Sequence, residues 1–231
     1  VGMVSQYHAT QGAIAKAREH GFAVVGLNNS WLSGRSAFYV EMIANAGLIG
    51  IHTVSSTRHV APLGGARPSI GTNPIAFGFP TLHDPVVIDL GTSAFMSTDL
   101  EFRIRRRDML PEGVAIDAQG NPTRDPALAR AGAILPFGGY KGFALALAML
   151  ALGVLAGSGD DVEKSYGYLT LAIKPDLLVD VGDYRRYLSD AIAQIKATPR
   201  QPGVDEIRIP SERAFGERAR HLKEGITIDR H

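Results

Sequence analysis

The stretch "FAVVGLNNSWLSGRSAFYVEMIANAGLIGIHTVS", Phe22–Ser55, decides the fold class. Its opening, Phe22–Leu27, is a short apolar run rich in β-branched residues, the pattern of a buried strand. "SAFYVEMIANAG", Ser36–Gly47, carries apolar residues at helical spacing and stops at Gly47. "LIGIHTVS" follows as a second strand. Strand, helix and strand in that order predict a crossover unit in a largely buried sheet, and hence an α/β fold.

Working outward, residues 7–20 predict a helix with Lys16, Arg18 and His20 near its end and Gly21 as its stop. Downstream, "APLGGARPSIGTNPIAFGFP", Ala61–Pro80, is dense in glycine and proline yet closes on the apolar run Ile75–Phe79, read as a buried strand. "PVVIDLG", Pro85–Gly91, is a further strand with a carboxylate at its end. Residues 99–135 centre on the turn-rich "LPEGVAIDAQGNPTRDP" and predict a surface excursion or hairpin. "ILPFGGYKG" reads as a loop that opens an apolar helix, Lys141–Ala156. That helix is too short for a membrane span and, apolar on all sides, suits a buried centre. "YGYLTLAIKP" predicts a strand, "DYRRYLSDAIAQIKA" an amphipathic helix, and the C-terminal region a charged helix ending at Gly225. "GSGDDVEKS", Gly157–Ser165, reads as a polar loop or as a join across missing residues.

Composition removes several function classes. The 231 residues are 45% hydrophobic and 20% charged, with net charge +1, so neither nucleic acid nor an acidic surface is an expected partner. The one basic cluster, Arg103 with Arg105–Arg107, reads as a solvated face. The absence of cysteine excludes disulfides, thiolate metal sites and a cysteine nucleophile, and suits a reducing cytosol. The seven histidines form no metal-binding pair, and no Gly-x-Ser-x-Gly elbow is present, so neither a metal centre nor a serine hydrolase is expected. Both the dinucleotide glycine fingerprint and the P-loop are missing. The opening "VGMVSQYHATQG" has no signal-peptide pattern and reads as the interior of something longer.

Three positions carry chemistry by their context. Lys141 stands at the start of the apolar helix, where the helix dipole disfavours a cation; it either accompanies a bound anion or snorkels to solvent. Asp89 ends a strand, where it lines a cleft or caps the following turn through the Thr92 or Ser93 N–H. Gly64–Gly65 and Gly138–Gly139 allow backbone to approach an anion, or are simply turns.

Taken together, "GGARPSIGTNPIAFGFP", "VVIDLGTSA", "LPEGVAIDAQGNPTRDP", "ILPFGGYKG" and "PGVDEIRIPSER…EGI" occur in an order and spacing that resemble the type-2 malate/L-lactate dehydrogenase family, whose members include sulfolactate and ureidoglycolate dehydrogenases and Δ1-piperideine-2-carboxylate reductases. The resemblance covers essentially the whole chain. It implies a three-layer α/β/α fold with a mixed sheet and a family-specific, non-Rossmann way of binding NAD(P), which accounts for the missing fingerprint. It also implies a homodimer acting on a small 2-oxo or 2-hydroxy acid, or on a cyclic imine carboxylate; the cytoplasmic expectation rests on the lack of cysteine. The expected organisation is one main cofactor-binding and catalytic domain over 1–231, lacking the family's amino-terminal segment, with residues from about 180 to 231 packing back on it.

By position, the resemblance assigns Ser56, Asp89, Leu90, Gly91, Lys141 and Gly142 to the cofactor and gives Asp89 a catalytic part. Arg58 and His59, just after Ser56, favour NADP over NAD, because a 2′-phosphate needs a cation. Arg35 is the candidate for a substrate carboxylate, or else faces water at a helix start. One departure stands out in "NNSWLSGRSAFY": Leu32 occupies the position of the family's proton-transferring histidine, and leucine exchanges no protons. That departure motivates an alternative reading, a cofactor-binding relative without turnover.

Overall fold

A computed structural model of the chain describes residues 2–159 and 166–228. The expectation for Gly157–Ser165 falls mostly on residues 160–165, outside the described residues. In chain order the elements are α1 (Gly2–His20), β1 (Phe22–Ser30), α2 (Ser36–Asn45), β2 (Ile49–Ser55), β3 (Ile75–Phe79), β4 (Val86–Leu90), α3 (Ser97–Arg106), β5 (Ala115–Ile116), α4 (Pro126–Ala131), β6 (Ala133–Ile134), α5 (Tyr140–Leu155), β7 (Tyr166–Ile173), a 3-10 turn (Pro175–Leu177), α6 (Val181–Lys196) and α7 (Glu212–Glu224).

The main sheet has five strands in the order β1-β7-β2-β3-β4. Every ladder in it is antiparallel, which corrects the expected mixed sheet. The crossover is nevertheless present. β1 and β2 each run antiparallel to β7, so they run parallel to one another, with α2 connecting them and β7 inserted between. A sequence pattern reports that two strands are separated by a helix; it does not report which later strand fills the gap.

α1 and α2 cover one face. Ala13 and Ala17 of α1, Ala23 of β1, Ile43 of α2, Leu48 and Ala172 of β7 form one apolar cluster. Ala37 and Val40 of α2 pack on Ala76 and Val87 of the neighbouring strands. α5 lies on the opposite face, against β2 and β7. The pleat explains the division within β2: His52 faces Tyr39 of α2, whereas Ser55, three residues on, faces the α5 side and lies 3.0 Å from Ser158. The three layers follow.

α5 departs from its sequence reading. Among its residues, Gly142, Ala146, Met149 and Gly153 are buried, but Leu147, Val154 and Leu155 remain exposed. The sheet covers only one side of a helix that is apolar on all sides, so the outer side is left open.

Residues 99–135 hold more than a surface excursion. α3 and α4 enclose a satellite core of Leu100, Leu110, Val114, Ala115 and Ala129. α4 is capped by Asp125, whose carboxylate accepts from the Ala127 and Leu128 N–H groups. The turn-rich sequence at 110–126 hid the helix that follows it. At the C-terminal end, Phe215 of α7 packs against the Ala37–Val87 cluster, and Arg218 pairs with Glu41 of α2 at 2.7 Å.

Candidate cofactor and substrate site

The ends of β2 and β4 and the start of α5 meet at one short segment, Gly71–Pro74. Asn73 is fully buried there. Its Oδ1 accepts from the Ser56 N–H at 3.0 Å, and its Nδ2 donates to the Ala146 carbonyl of α5 at 2.9 Å. The Thr72 carbonyl accepts from both the N–H and the hydroxyl of Thr92, each at 2.9 Å. The Thr92 carbonyl accepts from Phe137 N–H at 3.1 Å, and the Phe137 carbonyl from Gly142 N–H at 2.9 Å. Ser56, Gly91 beside Thr92, and Lys141–Gly142 are therefore linked through a few hydrogen bonds centred on Thr72 and Asn73. Gly71 is required at this junction, because a Cβ on it would lie 2.3 Å from Ser56 Oγ and 2.5 Å from Asn73 Oδ1.

At the start of α5, Gly138 and Gly139 have φ of 54° and 60°, and no side chain caps the helix. A Cβ built on Gly139 meets nothing within 4 Å. The first turn of a sixteen-residue helix thus faces open space, with exposed Lys141 beside it. The N–H groups of Lys141, Gly142 and Phe143 are bonded to the carbonyls of Gly138, Phe137 and Gly139, so the glycine-shaped backbone, the helix dipole and the Lys141 ammonium are what this end offers to phosphate oxygens. The residues present fit the pyrophosphate of a dinucleotide.

Asp89 and Leu90 point to opposite faces of β4. Asp89 shares its face with Val87, toward α2, and its Oδ2 accepts from the Ala37 N–H at 2.7 Å. It therefore caps α2, whose own N-cap residue Arg35 provides no side-chain bond. The expected local cap through Thr92 or Ser93 is not formed, because Thr92 N–H is taken by Thr72. Burial raises the Asp89 pKa above its ordinary value, against the lowering effects of the Ala37 N–H and of Arg35. The sequence-assigned residues thus fall into two groups: Asp89 with Arg35 on the α2 side, and Ser56, Gly91, Lys141 and Gly142 around Thr72 and Asn73.

The loop between β1 and α2 is held in an unusual path. Leu32 and Gly34 have φ of 58° and 78°. The buried Tyr39 hydroxyl is 2.5 Å from the Ser33 carbonyl and 3.3 Å from that of Met3, and Gly2 N–H donates to the Trp31 carbonyl. Burial raises the Tyr39 pKa, so the phenol stays a neutral donor. Beside this loop lies a cavity of about 300 Å³ lined by Met3, Ser5, Asn29, Ser30, Trp31 and Leu32. Beneath the loop, Tyr39, His52 and Tyr168 form a ring ladder with centroid spacings of 5.5 and 6.1 Å.

Arg58 is exposed just past Ser56. His59 stands 3.2 Å from Thr57 Oγ1, and burial lowers its pKa while Glu101 pulls the other way. A second cavity, of about 370 Å³, includes Arg103 and Arg106, both of which pair with Asp108; none of the sequence-assigned positions lines it. Among the described residues no cluster of three acidic or histidine side chains could hold a metal ion, and no helix is long and apolar enough to cross a membrane. Asn73 and Tyr39 were not singled out from the sequence, and Thr92 only as a candidate partner of Asp89. The nearest signal was the Gly-Thr-Asn-Pro wording, which showed a shaped turn but not its partners.

The model of the malate/L-lactate dehydrogenase family matches residues 1–231. The malate/(S)-sulfolactate dehydrogenase of Methanothermus fervidus is 34% identical over 241 residues, which span 100% of this chain and 70% of that protein. The Δ1-pyrroline-2-carboxylate reductase of Pseudomonas fluorescens is 38% identical over 229 residues, 93% of this chain and 66% of that protein. The solved structure of the Methanocaldococcus jannaschii sulfolactate dehydrogenase superposes with a TM-score of 0.89 at 32% identity, covering 99% of this chain and 69% of that one.

Proposed function

Because the chain belongs to the malate/L-lactate dehydrogenase family, we propose that it is an NAD(P)-dependent oxidoreductase acting on a small 2-oxo or 2-hydroxy acid, or on a cyclic imine carboxylate. The observation that carries the cofactor reading is the convergence of Ser56, Gly91 and Lys141–Gly142 on Thr72 and Asn73, next to the open first turn of α5. Lys141 and the dipole of α5, with the Gly138–Gly139 backbone allowing close approach, would hold the pyrophosphate. A small side chain at Ser56 and none at Gly91 leave room where the dinucleotide must approach closely. When bound, nicotinamide supplies the hydride.

The chain's own residues then bind the acid and move one proton. Arg35, beside the capped end of α2, takes the substrate carboxylate in a charge-assisted pair. Leu32 exchanges no proton, and among the described residues of this site Asp89 is the group that can. Its Oδ2 is engaged by the Ala37 N–H, which leaves Oδ1 to exchange the proton, and burial raises its pKa above the ordinary carboxylate value. Arg58 supports NADP as the preferred cofactor. The exposed apolar surface of α5, together with Phe22 and Val24 on β1, supports a homodimer that covers it. The lack of cysteine supports a cytoplasmic setting.

The test is NAD(P)H oxidation against a panel of 2-oxo acids and cyclic imine carboxylates. Turnover is expected, with a lower KM for NADPH than for NADH. In Arg58→Ala the NADPH advantage should shrink. Cofactor binding without turnover of any panel member would overturn the enzymatic reading.

A further inference from the structure

From the cavity beside the β1–α2 loop we infer that the substrate is a monoanion with an apolar body, and that Trp31 and Leu32 select it against dicarboxylates and sulfonates. The inference rests on the oxidoreductase reading above and narrows its substrate class. Three observations support it.

The first is the lining. Met3, Ser5, Asn29, Ser30, Trp31 and Leu32 contribute two neutral amide or thioether groups, two hydroxyls and two large apolar side chains, and no ionisable one. At about 300 Å³ the cavity is at the lower end of small-molecule sites, which run to about 1,000 Å³. A second carboxylate or a sulfonate entering it would leave water for walls that, among the described residues, offer no cation to receive it. An alkyl chain or an imine ring would instead meet the Trp31 and Leu32 side chains, 47% and 45% exposed and so open to contact.

The second is the charge on the loop. Among Trp31–Arg35, Arg35 is the one ionisable residue. It lies beside Asp89, whose Oδ2 is engaged by the Ala37 N–H. One such cation matches one substrate carboxylate.

The third is rigidity. Leu32 holds a positive φ of 58°, a conformation that costs a branched side chain free energy and persists only where the surroundings impose it. The imposing contacts are Tyr39 to the Ser33 carbonyl at 2.5 Å and Gly2 N–H to the Trp31 carbonyl at 3.1 Å. The apolar wall is thus fixed before any ligand arrives, and a fixed wall discriminates better than a mobile one.

The test compares kcat/KM for 2-oxohexanoate and Δ1-piperideine-2-carboxylate with that for oxaloacetate and sulfopyruvate. The wild type should favour the first pair by at least about ten-fold, the scale on which apolar pockets discriminate. Trp31→Ala should lower that ratio by about ten-fold. Ser5→Arg, which brings a cation into the cavity from α1, should shift it further toward oxaloacetate. Trp31 is the only tryptophan of the chain, so its emission reports binding without cofactor or turnover. 2-Oxohexanoate should change that emission at concentrations where oxaloacetate does not. A wild type that prefers oxaloacetate or sulfopyruvate sinks this inference and leaves the oxidoreductase reading intact, as do ratios unmoved by both variants. If no acid turns over, the oxidoreductase reading fails, and the emission titration alone decides whether the cavity binds apolar monoanions.

Discussion

Replacing Asn73 by alanine tests the junction on which the cofactor reading depends. The side chain is wholly buried and forms two hydrogen bonds, accepting from Ser56 N–H and donating to the Ala146 carbonyl. Alanine leaves both backbone groups unpaired, at about 1–3 kcal/mol each. Asn73 also has a φ of 34°, which asparagine tolerates better than alanine does, adding about 1 kcal/mol. The summed loss is about 3–7 kcal/mol, which for a chain of this size lowers Tm by roughly 6–28 °C. Function should suffer in a specific way. Ser56 would lose its anchor and α5 its tie to the 71–74 turn, so the KM for NAD(P)H should rise about ten-fold or more, on the scale of a small misplacement in a binding site. Thermal melting by circular dichroism and initial rates at varied cofactor give the two numbers. A Tm within about 2 °C of wild type with an unchanged cofactor KM would show that Asn73 does not organise the site.

Three further outcomes are expected. Burial holds the His52 imidazole at about 3, and neither ring nitrogen has a hydrogen-bond partner among the described residues. Because the folded pKa lies below the unfolded one, the unfolded chain binds the extra proton, and stability falls as pH drops from about 6.5 toward 3. Between pH 6.5 and 5 this single group should cost about 2 kcal/mol; denaturant titrations at the two pH values should show His52→Phe losing less than wild type by that amount. Lys141→Ala should raise the NAD(P)H KM about ten-fold, the size of one charge-assisted phosphate contact, with little change in Tm; an unaltered KM would place the lysine in solvent. Asp89→Asn keeps an oxygen for the Ala37 N–H and so should fold, yet kcat should fall about 100-fold with the cofactor KM unchanged. Full activity in that variant would reduce Asp89 to a helix cap.

Much of the fold was legible because it rests on local patterns. The helix and strand of Phe22–Ser55, the buried strand within Ala61–Pro80 and the two C-terminal helices each carry their own periodicity or stop signal. α3 was missed because its charged residues, Asp99, Glu101 and the arginines, mask the single buried anchor Leu100. The antiparallel sheet was missed for a different reason. Strand direction depends on which strand lies between β1 and β2, and that strand, β7, arrives more than a hundred residues later. The site divides the same way. Asp89 was visible as a carboxylate at a strand end, but its partner, the Ala37 N–H, lies 52 residues away.

The sequence by itself determined most of the elements, the lack of thiol chemistry in these residues, and the family, because those follow from residue type, short-range spacing and the order of motifs along the chain. Only the tertiary structure decided what the motifs do to one another. It made Gly-Thr-Asn-Pro the junction of β2, β4 and α5, turned Asp89 from a local cap into a long-range one, and set Trp31 and Leu32 as the wall of a cavity rather than as two substitutions in a motif. Each of these is a contact between residues distant in sequence, formed only when the sheet brings its strand ends together, and no local pattern encodes it.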